Sequence, residues 1–202
     1  DNLVMVGSPY AMLLHAVGED VENDDTFKII SGAIECYTKR FEPNTQLAGF
    51  RSPHNGKNNI LSLYNVSSQK LDKYFDIGEQ CVAVNCIHTD LQDRANGCDF
   101  DSDSIYCTNQ KDIARYAKYC YYNYPTIVNN IPKEKNNYTN SMGDYALVDN
   151  NLAHSQLAIG ESSNLAQLAL TYTYNYDDKK FKDYVCILSV LAQVSIDSAK
   201  RR

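Results

Sequence analysis

The 202-residue chain has no tryptophan, no Cys-x-x-Cys pair and no excess of positive charge. Without paired cysteines, a zinc or redox site of that type has no residues to build it. A net charge of -6 argues against a free-standing nucleic-acid binder, which usually presents a basic face. It leaves room for a catalytic fragment whose acidic residues hold metal while other domains supply a basic channel. No run is long and apolar enough to span a bilayer, and no secretory leader is visible. Ser-His-Asp order, a phosphate-cradling Walker loop and a dinucleotide glycine pattern are all missing.

What is present is an ordinary globular composition, 44% hydrophobic, with 16 tyrosines and seven cysteines. An odd number of scattered cysteines reads as reduced thiols, several of them buried, in a cytoplasmic protein. Cys81, Cys86 and His88 have a loose zinc-like spacing, but they lie in an apolar β-branched run that reads as a strand. The first residue is not Met, and the chain stops at Arg202 directly after a helical pattern. Both ends read as cuts through a longer protein.

The most informative stretch is Cys98-Asp99-Phe100-Asp101-Ser102-Asp103. In extended backbone, positions i, i+2 and i+4 point to one side. Asp99, Asp101 and Asp103 would then share one small volume, where like charges disfavour one another's ionisation. A cation between them removes the conflict. All-oxygen ligands favour a hard ion such as Mg²⁺ or Ca²⁺. The plain alternative is a solvated acidic turn. The EF-hand calcium template fails, because its sixth and twelfth positions hold Ser104 and Gln110 where Gly and Glu are needed.

Along the chain, Leu3–Val6 reads as a buried strand and Gly7-Ser8-Pro9 as a turn. Tyr10–Ala16 reads as a second strand, although its composition would also suit a helix. Phe27, Ile30, Ile34 and Tyr37 are spaced to share one face of a helix over Phe27–Arg40, with Asp24 or Asp25 as its cap. Leu47–Phe50 is a short apolar run leading to Arg51. Ile60–Val66 and Cys81–Ile87 read as strands, Ser68–Phe75 as a short helix, and Ile105–Cys107 as a further strand. Residues 88–97 read as a loop. From residue 110 the period becomes helical: 110–124, then about Tyr145–Thr171 and Lys179–Lys200, with Gly160 marking close packing or a break. Strands followed by helices give an α+β class, divided as 1–108 and 109–202.

The order of these features resembles the catalytic double-psi β-barrel of two-barrel RNA polymerases. That class spans the large subunit of cellular enzymes, the RNA-dependent RNA polymerases of silencing, and single-chain phage relatives. Leu3–Tyr10 and Leu13–Gly18 are similar to the barrel's opening strand and its Gly-Pro turn. Arg51-Ser52-Pro53 is similar to a stretch whose Arg lies by the incoming nucleotide. Asn96–Asp103 resembles the "NADFDGD" metal loop, and more closely the "SGSDLDGD" form of the silencing enzymes. Asn151–Ala158 and Leu191–Lys200 look like two of the silencing enzymes' helical segments. The family keeps Gly between its second and third aspartates, where this chain has Ser102.

The resemblance implies a double-psi β-barrel followed by a helical subdomain. It also implies Mg²⁺-dependent nucleotidyl transfer from an NTP to an RNA 3′-OH on a nucleic-acid template, with Mn²⁺ as an alternative ion. Asp99, Asp101 and Asp103 would be catalytic metal ligands, and Arg51 and Lys200 would contact the nucleotide. A second, lysine-bearing barrel would come from elsewhere in the full-length chain or from another subunit, so this piece alone would be inactive. The host is left open between a phage, a mobile element and a cell. The competing reading is a non-catalytic binding or structural barrel with a vestigial acidic loop. Lys111, Arg115 and Lys118 read as a solvated helix face, with phosphate contact as the minor reading. The tyrosines from Tyr119 to Tyr124 read as rings buried against a sheet, with base stacking as the minor reading.

Overall fold

The computed structural model describes residues 1–54, 56–128, 139–176 and 178–198, with 197 and 198 described by their backbone. It divides into two compact units, Asp1–Val128 and Asn129–Arg202.

In the first unit, seven strands form one sheet: β1 (Asn2–Val6), β2 (Ile29–Ile30), β3 (Ala33–Tyr37), β4 (Thr45–Phe50), β5 (Ile60–Asn65), β6 (Cys81–Val84) and β7 (Ser104–Thr108). The order β3-β5-β4-β7-β1-β6 returns to β3 through an antiparallel β3–β6 pairing, so six strands close a barrel. β3–β5 and β1–β6 are parallel, and the other pairs in the ring are antiparallel. The expected α+β class, with a closed mixed barrel followed by helices, is the observed one.

Strand alternation fills the barrel. Inward positions fall two to a strand: Leu3 and Met5, Ile34 and Cys36, Leu61 and Leu63, Val82 and Val84, Ile105 and Cys107, all essentially inaccessible. β4 contributes Leu47 and then Gly49. A Cβ on Gly49 would stand 3.1 Å from Leu63 Cδ1 and 3.2 Å from Leu61 Cβ. The large side chains of the neighbouring strand occupy the space that glycine leaves.

Two sequence expectations are overturned here. Tyr10–Ala16 is not a strand but lies in helix α1 (Pro9–Ala16). Proline sits at its first position, where its fixed φ suits a helix and its missing N–H is no loss, and good helix formers follow. Phe27–Arg40 is not a helix but contains β2 and β3. Gly32, at φ 80°, turns the chain so that Ile30 pairs with Ala33. β3 is buried on both faces, so no period-2 alternation shows, and the 3.6-residue spacing is coincidental. Even Glu35 is buried, its Oε2 accepting the Lys28 backbone N–H at 2.6 Å.

Most of the other elements are where the residues place them. α2 (Gln69–Tyr74) is capped by Ser68, whose Oγ accepts the Leu71 N–H. α3 (Leu91–Arg94) is one turn inside the expected 88–97 loop. α4 (Lys111–Asn123) belongs to the first unit and lays Ala117 and Cys120 against Ala48 and Ile60 of the sheet. In the second unit, α5 (Met142–Tyr176) and α6 (Lys179–Ser198) form a helical hairpin. Near its turn the Tyr172 and Phe181 rings stack at 5.2 Å, and Ala166, Ala169 and Ala192 are buried. α5 runs through Gly160 without a break, and nothing lies within 4 Å of where its Cβ would be. No helix among the described residues is long and apolar enough to cross a membrane.

Candidate metal centre and its supporting loop

Asp99, Asp101 and Asp103 converge. One carboxylate oxygen from each lies within 4.8 Å of the other two. That spacing is about twice a metal–oxygen distance of roughly 2.0–2.6 Å for Mg²⁺ or Ca²⁺, so three ligands around one hard ion are geometrically compatible. The backbone reaches this arrangement by a different route from the one alternate spacing implies. Residues 98–103 are loop, not strand, and β7 starts only at Ser104. Phe100 at φ 60° and Ser102 at φ 107° flank Asp101, so the chain coils to bring the carboxylates together. Gly7 makes room for the coil: a Cβ there would meet the Phe100 ring at 3.2 Å.

The φ of Ser102 lies in a region where a Cβ is strained. Ser102 is exposed and stands where the resembled family keeps Gly. Ser102→Gly is therefore expected to raise stability by about 1 kcal/mol, strain relief outweighing the extra unfolded-chain entropy. Urea denaturation measures it; an unchanged or lower midpoint would mean the serine is held without cost.

The three carboxylates are not equivalent. Asp99 and Asp101 are exposed, whereas the Asp103 side chain is only 12% exposed. Arg51, just after β4, is equally buried and donates to Asp103 Oδ1 from Nε at 3.1 Å and from Nη2 at 2.6 Å. Its Nη1 donates to the carbonyls of Ala95 and Asn96, at 2.9 and 3.1 Å. Asp103 Oδ2 accepts the Asp99 N–H at 3.0 Å, which closes the coil. Burial opposes ionisation of Asp103, but hydrogen bonds from Arg51, the Asp99 N–H and the Cys98 thiol hold its pKa below the ordinary value. Burial also pushes the Cys98 thiol up to about 12. The three converging groups are all carboxylates, and an all-oxygen donor set fits a hard divalent cation.

The sequence contained no signal for what supports this loop. Asn96, at φ 55°, donates from Nδ2 to Pro53 O at 2.7 Å and accepts Asn59 Nδ2 at 2.7 Å. Asn59 also donates to Arg94 O at 3.2 Å. Arg94 is 2% exposed. It donates to Ile60 O (2.9 Å), Cys120 O (3.0 Å), Tyr124 O (3.2 Å) and Thr126 Oγ1 (3.1 Å). The Tyr121 ring lies 4.9 Å from its guanidinium carbon. One arginine thus caps the C-terminal carbonyls of α4 and ties that helix to the segment carrying the metal loop. His54 packs edge-on against Phe50, with ring centroids 5.5 Å apart, and burial lowers its pKa. Lys200 lies outside the described residues.

No protein-family model matches the chain, and no curated protein sequence does. Among solved structures, the chain is similar to the RNA-dependent RNA polymerase QDE-1 from Thielavia terrestris, with a TM-score of 0.55 and 14% identity. The match covers 99% of this chain and 22% of that one. At that identity the likeness is one of fold, and it agrees with a double-psi barrel followed by helices. The chain spans about a fifth of the polymerase it matches.

Proposed function

We propose that the chain supplies the catalytic barrel of an RNA polymerase-like nucleotidyltransferase. In that reaction O3′ of an RNA end bonds to the α-phosphorus of an NTP on a nucleic-acid template. The Pα–O bond to pyrophosphate breaks, and the 3′-OH proton passes to solvent. The observation that carries the proposal is the convergence of three aspartate oxygens within 4.8 Å on a loop braced by a buried arginine. A polymerase-like fold supports it.

Asp99, Asp101 and Asp103 would hold Mg²⁺, with Mn²⁺ as a substitute and a second ion shared with the nucleotide. A bound ion supplies Lewis-acid stabilisation of the charge that builds on phosphoryl oxygens, and favours an ionised nucleophile. The chain's own residues do the placing. Arg51 fixes Asp103 and keeps it ionised, so one ligand is pre-oriented before any ion arrives. Among the described residues, four of the five N–H groups of Arg51 are engaged within the loop, and the second on Nη2 is available to a ribose or phosphate oxygen. Lys200 is a second proposed nucleotide contact. A lysine-bearing barrel elsewhere in the full-length chain or in another subunit would complete the cleft.

The second reading, a non-catalytic barrel with a vestigial acidic loop, has one observation in its favour. Ser102 holds a φ of 107° that glycine would adopt without strain. The two readings separate in an incorporation assay with the full-length protein, NTPs, an RNA or DNA template and Mg²⁺. Incorporation by the native protein and none by Asp101→Ala is the expected result. Equal incorporation by both, or none by either, overturns the polymerase reading.

A further inference from the structure

We infer that the exposed face of α4 is a track for single-stranded nucleic acid that leads to the metal loop. The inference rests on the polymerase-like reading for its biological sense, but its observations are independent of the aspartates.

Lys111, Arg115 and Lys118 fall at i, i+4 and i+7, so they stand one above another along the helix. All three are exposed. Arg115 is paired to Asp112 at 3.0 Å, with both side chains more than four-fifths exposed, an interaction that water and salt weaken. A row of three cations is notable on a chain whose net charge is -6. Beside it runs an aromatic row. Tyr116 and Tyr119 are 44% and 51% exposed, and their rings stack with centroids 5.9 Å apart and planes 21° from parallel. Tyr119 meets Tyr124 edge-on at 6.4 Å, and Lys57 Nζ lies 5.2 Å from the Tyr124 ring centroid.

The direction of the row matters. Lys57 opens the short 3₁₀ turn Lys57–Asn59, and Asn59 holds Asn96 at the start of the aspartate loop. Arg94 binds the carbonyls of Cys120 and Tyr124 at the same end of α4. The cationic and aromatic rows therefore run toward the hinge of the loop that carries the aspartates. Neighbouring rows of cations and ring faces suit a ligand with a phosphate backbone on one side and unpaired bases on the other. A single strand has both, whereas a duplex keeps its base faces stacked inside.

The test uses the 202-residue chain and a fluorescein-labelled single-stranded RNA of mixed sequence, read by anisotropy between 50 and 200 mM salt. These concentrations span the range over which phosphate binding weakens by orders of magnitude. Removing three positive charges in Lys111→Ala/Arg115→Ala/Lys118→Ala should flatten the log–log salt slope by about 2 and weaken binding at least about tenfold at low salt. Tyr119→Ala should weaken it about fivefold or more, the loss of one stacked base. Asp101→Ala should bind as the native chain does, even if incorporation fails, which separates this inference from the polymerase reading. All these side chains are exposed, so circular dichroism melting should be unchanged in every variant. Undiminished binding by the triple variant, no binding by the native chain at low salt, or equal binding of a duplex overturns the inference.

Discussion

Asp103→Asn is expected to weaken divalent-cation affinity by on the order of a hundredfold or more, and also to destabilise the barrel unit by about 2–3 kcal/mol. Asp101→Asn is expected to do only the first. Losing a metal ligand should cost at least what losing a supporting residue does, roughly 10–100-fold. The stability difference follows from burial. Asp101 is exposed, whereas Asp103 and Arg51 are each only 12% exposed and joined by two hydrogen bonds. In Asp103→Asn the amide oxygen can still face Arg51, but its NH₂ then opposes the Asp99 N–H, donor against donor. The guanidinium is left mostly buried with no counter-charge, and such a loss is at the upper end of single hydrogen-bond effects. Mn²⁺ titration followed by paramagnetic resonance, together with urea denaturation, reads both quantities. Equal stabilities for the two variants would show that the Arg51–Asp103 pair does not brace the loop.

The same pair sets an acid limit. The pKa of Asp103 in the folded chain is lowered below 3.8. Its contribution to stability is therefore fully present above the ordinary carboxylate value and lost as pH falls through the folded value. The native chain should lose stability over that acid window, and Asp103→Asn should lose less.

Arg94→Ala is expected to cost on the order of 3 kcal/mol, the largest effect of any single truncation outside the hydrophobic core. The side chain is 2% exposed and reaches four acceptors on three separate segments. Its removal takes from the Ile60 carbonyl a donor that burial denies it from water, a penalty of about 1–3 kcal/mol where such a group is left unsatisfied, whereas Cys120 O keeps the Tyr124 N–H at 3.0 Å. Burial draws the Arg94 pKa below its ordinary value, while nearby Asp90 draws it up. An arginine nonetheless stays charged, which is why this residue suits a buried fork of hydrogen bonds. Arg94→Lys should recover little, because a point charge cannot face Ile60, Cys120 and Tyr124 at once. With a urea slope of about 1–3 kcal/mol/M, the alanine variant's midpoint should fall by roughly 1–3 M. A shift below about 0.3 M would mean that water satisfies these carbonyls.

Most of the barrel could be read from the residues. β1, β5, β6 and β7 each carry inward-facing apolar side chains two residues apart, and α2 and α4 carry a cap or a 3.6-residue stripe. Such signals are local, and a local reading recovers them. β2 and β3 escaped it because β3 is buried on both faces, leaving no alternation to count, and because the Ser31-Gly32 turn lies inside an apparent helical stripe. Arg94 escaped because an arginine in a polar loop looks like any surface arginine. Its partners lie 26 to 34 residues away.

The sequence by itself determined that three aspartates recur at alternate positions, that they lie between an apolar strand and an amphipathic helix, and that a serine stands between the second and third of them where the resembled motif has glycine. Those follow from residue identity and spacing alone. Only the tertiary structure decided that the carboxylates meet through a coil rather than along a strand, because positive φ at Phe100 and Ser102 cannot be inferred from residues that normally avoid it. It alone also decided which aspartate is braced. Arg51 is 52 residues from Asp103 in the chain, and closure of β4 beside β7 is what brings the two charges within 2.6 Å.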